Sequence, residues 1–159
     1  MKHELFYRSP AGVLLLKSDG LFISEIAFSE SDLQENTPCS LLLECRQQLE
    51  DYFCGKTFSF DLPLNPVGTE FQKKVWDELL KIPHGQTITY SELAVRLGDP
   101  KLVRAVGTAN GKNPLAIVIP CHRVIGAGNK LTGYAGGLDR KLWLLEHEMK
   151  YNPSKCTLF

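Results

Sequence analysis

The sequence predicts an α/β protein of the α+β kind, built in two parts. Residues 1–67 read as a small antiparallel sheet with one covering helix, and residues 68–159 as a mainly helical part containing a helix-turn-helix. Three observations carry this. Short apolar segments at residues 5–9, 12–18 and 21–28 are separated by Ser-Pro and Asp-Gly, the punctuation of antiparallel strands. Pro63, Pro66 and Gly68 break any periodicity over residues 61–68, which therefore read as a linker. Two capping-box signatures, Thr69-Glu70-Phe71-Gln72 and Thr89-Tyr90-Ser91-Glu92, then open new apolar runs. At 159 residues the chain is long enough for one domain with a real core, or for two small ones sharing an interface.

In the first part, the three apolar segments form a meander. Residues 40–54 then place Leu41, Cys45, Leu49 and Tyr52 or Phe53 at helical spacing before Gly55 ends the run. This helix is expected to cover one face of the sheet, with Cys45 and Cys54 as structural filling. In the second part, Phe71, Val75, Leu79 and Ile82, widened by Trp76, form a stripe that stops before Pro83. The second capping box opens a short helix through Leu93, Ala94 and Leu97 to Gly98. Asp99 is a good N-cap and Pro100 suits the first helical position, so residues 101–110 are expected to be helical, ending near Gly111.

Two short helices joined by Gly98-Asp99 make a helix-turn-helix, although most short helical hairpins bind no DNA. The second helix carries Val103, Ala105, Val106, Gly107, Thr108 and Ala109, all small or modest, around one long cation, Arg104. Such a surface can lie close against a groove, but it lacks the several long polar side chains that read base edges. Residues 115–119 are an unbroken apolar run ending at Pro120, expected to be a buried strand. A last helix is expected to turn Leu138, Leu142, Leu145 and Met149 to the core.

Hydrophobic residues make up 43% of the chain and charged residues 23%, an ordinary globular balance, not that of a disordered chain, which says nothing about function. The formal net charge of zero hides two opposite halves. Residues 1–67 carry five Lys and Arg against ten Asp and Glu, and residues 68–159 carry thirteen against eight. The second part thus suits a phosphate-bearing partner. Five cysteines, at positions 39, 45, 54, 121 and 156, form no C-x-x-C pair and leave an odd one out, so neither a disulfide framework nor a zinc cluster is indicated. The apolar run at residues 12–16 is far too short for a signal peptide or membrane span. A reducing, cytoplasmic setting is expected, nucleoid-associated in a bacterium or nuclear in a eukaryote.

Directly after Pro120 the chain sets a thiol beside an imidazole, Cys121-His122. A free thiol titrates near ~8.5, so a nucleophilic cysteine needs a base, and His122 is the obvious one. A bare Cys-His pair is more often an inert buried cysteine beside a satisfied histidine, and the surrounding residues decide between the two. The strings IPCHRVIG at residues 119–126, TGYAGG at 132–137 and WLLEHE at 143–148 resemble the O6-alkylguanine-DNA alkyltransferases, or methylated-DNA-protein-cysteine methyltransferases. The similarity runs without an obvious gap from about Thr69 to Glu148 and thins upstream to Ser9-Pro10-Ala11-Gly12.

The resemblance implies direct reversal of DNA damage, with residues 1–67 structural and residues 68–159 carrying the transfer. One irreversible transfer would move the alkyl group from O6-alkylguanine, and from O4-alkylthymine, to Cys121 after the base is flipped from double-stranded DNA. It also implies the roles. His122, oriented by Glu148, activates Cys121 through a water; Tyr90 is the general acid for the departing base; Asn113 braces the turns around the cysteine. Arg104 fills the space left by the flipped nucleotide in the minor groove, with Tyr90, Val103, Ala105, Gly107 and Thr108 against the DNA. Val124, Tyr134, Ala135 and Gly136 line the base pocket, where Ala135 replaces a serine found in some members. Arg123 is expected to pair with an acid of the first part. No cofactor is implied, and no metal either, because zinc-holding members use cysteines and histidines near the start, where this chain has only His3. The protein is expected to act as a monomer away from membranes. Two alternatives stand beside this reading. One is an alkyltransferase-like protein that only flags lesions, but such proteins lack the acceptor cysteine. The other is a cysteine hydrolase, for which no oxyanion-stabilising site is legible.

Overall fold

The computed structural model describes residues 2–31 and 36–152; Cys156 and the last residues of the 68–159 segment lie outside them. The architecture is α+β, as the sequence predicts. The chain forms two compact units. One comprises the residues up to Val67 together with Pro114–Val118, and the other Gly68–Asn113 together with the residues from Ile119 onward. Among the described residues no helix is long and apolar enough to cross a membrane.

In the first unit, β1 (His3–Ser9), β2 (Gly12–Ser18) and β3 (Ile23–Phe28) form an antiparallel meander in that order. The register pairs Tyr7 with Leu14, Leu5 with Leu16, and Leu16 with Ile26. These side chains alternate onto one buried face, as the two-residue period of a half-buried sheet requires. Helix α1 (Ser40–Phe53) covers it with Leu42, Cys45, Leu49, Tyr52 and Phe53. Its inward stripe is led by Leu42 where the sequence suggested Leu41, and Cys54 is an exposed C-cap residue where a core filler was expected.

The segment at residues 61–68, expected to be a plain linker, is tied down. Gln48 exchanges two hydrogen bonds of 2.9 Å with the backbone of Asp61, and Leu64 makes a one-residue parallel bridge to Ile23. A second such bridge joins Leu115 to Ile26. Both cover the free edge of β3, which would otherwise present unpaired backbone groups. Residues 115–119 are therefore not a strand. After the bridge the chain turns at Ile117 (φ 72°), where the Val118 amide donates to the Ala116 carbonyl at 2.8 Å. This i to i+2 turn is strained for a β-branched residue, which an apolar run cannot announce.

In the second unit, α2 (Glu70–Leu79) and α3 (Tyr90–Arg96) both start in reciprocal capping boxes at Thr69 and Thr89. Each cap contributes about 1 kcal/mol by satisfying otherwise orphaned amides. Gly68 precedes the first cap because a Cβ there would meet the Trp76 ring at 2.5 Å. Trp76 is buried and donates its indole N–H to the Ala109 carbonyl at 2.9 Å, joining α2 to α4 (Val103–Gly111). The helix-turn-helix is α3 and α4, with Asp99 capping a single 3-10 turn, Pro100–Leu102, ahead of α4.

Helix α5 (Leu138–Lys150) turns a different face inward from the one expected. Leu138, Leu142 and Met149 are exposed, whereas Lys141, Leu144, His147 and Glu148 are buried. The apolar stripe loses because Lys141 and Glu148 find polar partners inside, as the site shows.

Candidate active site around Cys121

The cysteine sits where two turns meet. Pro120 (φ −81°, ψ 64°) makes an inverse γ-turn in which the Cys121 amide donates to the Ile119 carbonyl at 2.8 Å. That same carbonyl accepts from Asn113 Nδ2 at 2.8 Å, so Asn113 braces the turn. Residues Cys121–Arg123 form a 3-10 turn, after which β5 (Val124–Ile125) pairs in parallel with β4 (Ile88–Thr89). This short pairing, not anticipated from the sequence, holds the start of α3, and hence Tyr90, beside the exit of the cysteine turn.

Glu148 is the electrostatic centre. It is 1% exposed and accepts from His122 Nε2 at 2.6 Å, from Arg123 Nε at 2.8 Å and Nη2 at 3.0 Å, and from the Gly85 amide at 3.1 Å. Arg123 also donates to the Ile82 carbonyl at 2.6 Å. Its partner is thus Glu148 of the same unit, which replaces the expected acid of the first part. Burial alone would raise the Glu148 pKa, but the hydrogen bond from His122 and the hydrogen bonds and charge of Arg123 outweigh it and hold the carboxyl below the usual range.

An ionised carboxylate only accepts, so His122 Nε2 carries the ring proton and Nδ1 keeps its lone pair. Burial lowers the His122 pKa despite Glu148, so the ring is neutral at physiological pH. Nδ1 is buried without a hydrogen-bond partner. A base with a free lone pair therefore lies one residue from the thiol.

Burial pushes the Cys121 thiol up, while a hydrogen bond from Asn113 and the charge of Lys141 pull it down. Lys141 is fully buried, and burial lowers its pKa to about 8, opposed by Cys121. Its Nζ donates to the carbonyls of Thr132 at 2.6 Å and Gly133 at 3.3 Å. The Tyr90 hydroxyl donates to the same Thr132 carbonyl at 3.1 Å, and burial raises its pKa. The residue 132–133 loop is thereby clasped over the site by two donors. Tyr134 belongs to the same environment: burial raises its phenol well above the ordinary value, with Cys121 and Glu148 adding to the effect.

The structure thus brings Cys121, His122, Glu148, Asn113, Tyr90, Tyr134 and the buried Val124 into one region. It does not bring in Ala135, which is exposed, or Gly136, which accepts from Arg140 in the turn before α5. On α4, Arg104, Ala105 and Thr108 are exposed, with Val103 and Gly107 half-buried. Two site residues escaped the sequence reading: Lys141 and Asn110, the latter donating from Nδ2 to the Cys121 carbonyl at 3.3 Å. Lys141 precedes Glu148 by two helical turns and so shares its face, the one signal that could have found it.

Comparison with known proteins agrees along the whole chain. Residues 2–66 match the 6-O-methylguanine DNA methyltransferase ribonuclease-like domain, and residues 70–150 match the DNA binding domain of the same methyltransferase. The chain belongs to the 6-O-methylguanine DNA methyltransferase family. It is 49% identical over 148 residues to the methylated-DNA–protein-cysteine methyltransferase of Methanosarcina acetivorans, covering 89% of this chain and 95% of that protein. The crystal structure of Mycobacterium tuberculosis O6-methylguanine methyltransferase superposes with a TM-score of 0.88 at 43% identity, over 100% of this chain and 99% of that one. A structure of the same mycobacterial protein in complex with DNA gives 0.87 at 44% identity, over 99% of each.

Proposed function

We propose that this protein repairs alkylated DNA by moving the alkyl group from O6 of guanine onto its own Cys121. The observation that carries this reading is the buried series from Cys121 through neutral His122 to ionised Glu148, in a chain of this family. No cofactor enters the reaction. O4-alkylthymine presents the same kind of carbon–oxygen bond and is a second substrate.

The steps follow from the residues. The target carbon is inside the duplex, so the base is flipped out, a cost that is smallest for a mispaired lesion. Arg104 projects from the exposed small-residue face of α4 and fills the gap from the minor groove, where unstacking is offset by new contacts. Because burial disfavours a standing thiolate, the proton leaves Cys121 only as the reaction proceeds, passing to His122 Nδ1 through a bridging water. Glu148 holds the ring in that tautomer and stabilises its charged form. Lys141 supplies a positive charge near the nascent thiolate.

The sulfur lone pair then attacks the alkyl carbon, the carbon–oxygen bond breaks, and its electrons pass to the purine. Tyr90 donates a proton to the departing base, leaving the Thr132 carbonyl to Lys141. The product is a thioether, which thiol exchange does not reverse, so each molecule acts once. Cys121→Ser tests this division of labour. It is expected to bind duplexes containing O6-methylguanine as the parent does while restoring no guanine; residual repair would refute Cys121 as the acceptor.

A further inference from the structure

Lys141 is fully buried, yet among the described residues no carboxylate pairs with its ammonium. Its Nζ donates to two neutral carbonyls, Thr132 at 2.6 Å and Gly133 at 3.3 Å, and lies 5.8 Å from the centre of the Tyr90 ring. It also sits in the first turn of α5, the end of a helix that disfavours a cation. Lysines are almost never buried in this way without an anion. The fold supplies none, but the reaction supplies two.

Negative charge develops first on the Cys121 sulfur, as the thiol gives up its proton, and later on the Tyr90 oxygen, as the phenol protonates the departing base. Lys141 faces both groups: its charge favours the Cys121 thiolate, and its ammonium lies over the Tyr90 ring. Arg123, a second buried cation, is already neutralised by Glu148. The remaining titratable group facing Lys141 is His122 of the cysteine turn, whose protonation its charge opposes, while the loop at residues 132–133 meets it with carbonyls alone. Burial lowers the Lys141 pKa to about 8, so its charge is present at neutral pH and lost in mild alkali. Burial moves the Tyr90 phenol the other way, so the acid keeps its proton over that range.

We propose that Lys141 is a positioning residue that acts through Cys121 and Tyr90, and that alkyl transfer requires its charged form. This inference rests on the alkyl-transfer reading and refines it. A thiol acting without such a partner reacts faster as pH rises, because more of it is thiolate, whereas a site that needs a protonated lysine slows.

The test is the single-turnover rate of methyl transfer from saturating O6-methylguanine duplex, followed from about pH 6.5 to about 9.5, so that DNA affinity does not enter. The parent is expected to slow by about 10-fold or more between about pH 7.5 and 9.5. Lys141→Arg keeps its charge throughout and is expected to lose that fall. Lys141→Met, never charged, is expected to be slow at every pH and to show no fall either. A lysine that only held the loop in place would leave the shape of the profile unchanged in both. Should Lys141→Arg not fold, Lys141→Met makes the comparison with the parent. A parent rate that holds or rises through mild alkali, or a fall that persists in a folded variant, overturns the proposal. Absence of transfer by the parent at every pH would instead overturn the alkyl-transfer reading beneath it.

Discussion

Replacing Glu148 by Gln keeps the side-chain shape and removes the charge on which three buried donors converge. Arg123, 6% exposed, would then hold a guanidinium without its counter-charge, and His122 would lose the carboxylate that fixes its tautomer. Breaking a buried ion pair by removing one partner costs about 3–5 kcal/mol. For a chain of this size that lowers the melting temperature by roughly 6–20 °C. The assay is thermal unfolding of the parent, Glu148→Gln, Arg123→Met and the double variant at neutral pH. If the cost lies in the stranded guanidinium, the double variant melts well above the sum of the single losses, with a coupling of at least about 2 kcal/mol. A Glu148→Gln melting point within about 2 °C of the parent's, or strictly additive losses, would refute the view of Glu148 as the centre of the site.

Acid should destabilise the protein in two stages. Burial lowers the His84 pKa to about 4 and depresses that of His122, so both stay neutral in the fold where the unfolded chain takes up protons. Their contribution is present above about pH 6.5 and lost as pH falls towards 4, and a His84→Gln melting profile should be flatter over that window. The depressed Glu148 carboxyl adds a later loss, beginning as pH falls below about 4.3. Arg104→Ala should slow repair of duplex DNA far more than reaction with a free alkylated base, because only the duplex demands flipping; equal slowing would show that Arg104 is not the wedge. The alkylated protein should melt several degrees below the unreacted one. Its new group overpacks a buried wall at a cost of roughly 1–3 kcal/mol, and an unchanged melting point after benzylation would rule that out.

The parts of the fold that were legible are those made by local hydrogen bonding. Thr69 with Gln72, and Thr89 with Glu92, announce their helices through side chains three residues apart, and both boxes form as written. What stayed hidden depends on partners distant in sequence. Residues 115–119 read as a strand, yet only Leu115 finds a bridge, and the turn at Ile117 has no compositional mark. The inward face of α5 was misjudged because a hydrophobic stripe is the default signal for burial. Here the carbonyls of Thr132 and Gly133 satisfy Lys141, and Arg123 and His122 satisfy Glu148, so a polar face goes inside instead. The Arg123 to Glu148 pairing spans 25 residues and leaves no local trace. The strings around Cys121, Tyr134 and Glu148 named the family, but the clasp by Lys141 and the amide of Asn110 emerge only from the folded arrangement.

The most direct test of the account is an intact-mass measurement of the protein after mixing with excess duplex DNA containing O6-methylguanine, followed by peptide mapping. The account predicts a gain of one methyl group per chain, located on the Cys121 sulfur, with no further repair once the protein is consumed. An unmodified protein beside repaired DNA, repair beyond one lesion per chain, or a methyl group on any other residue would contradict it.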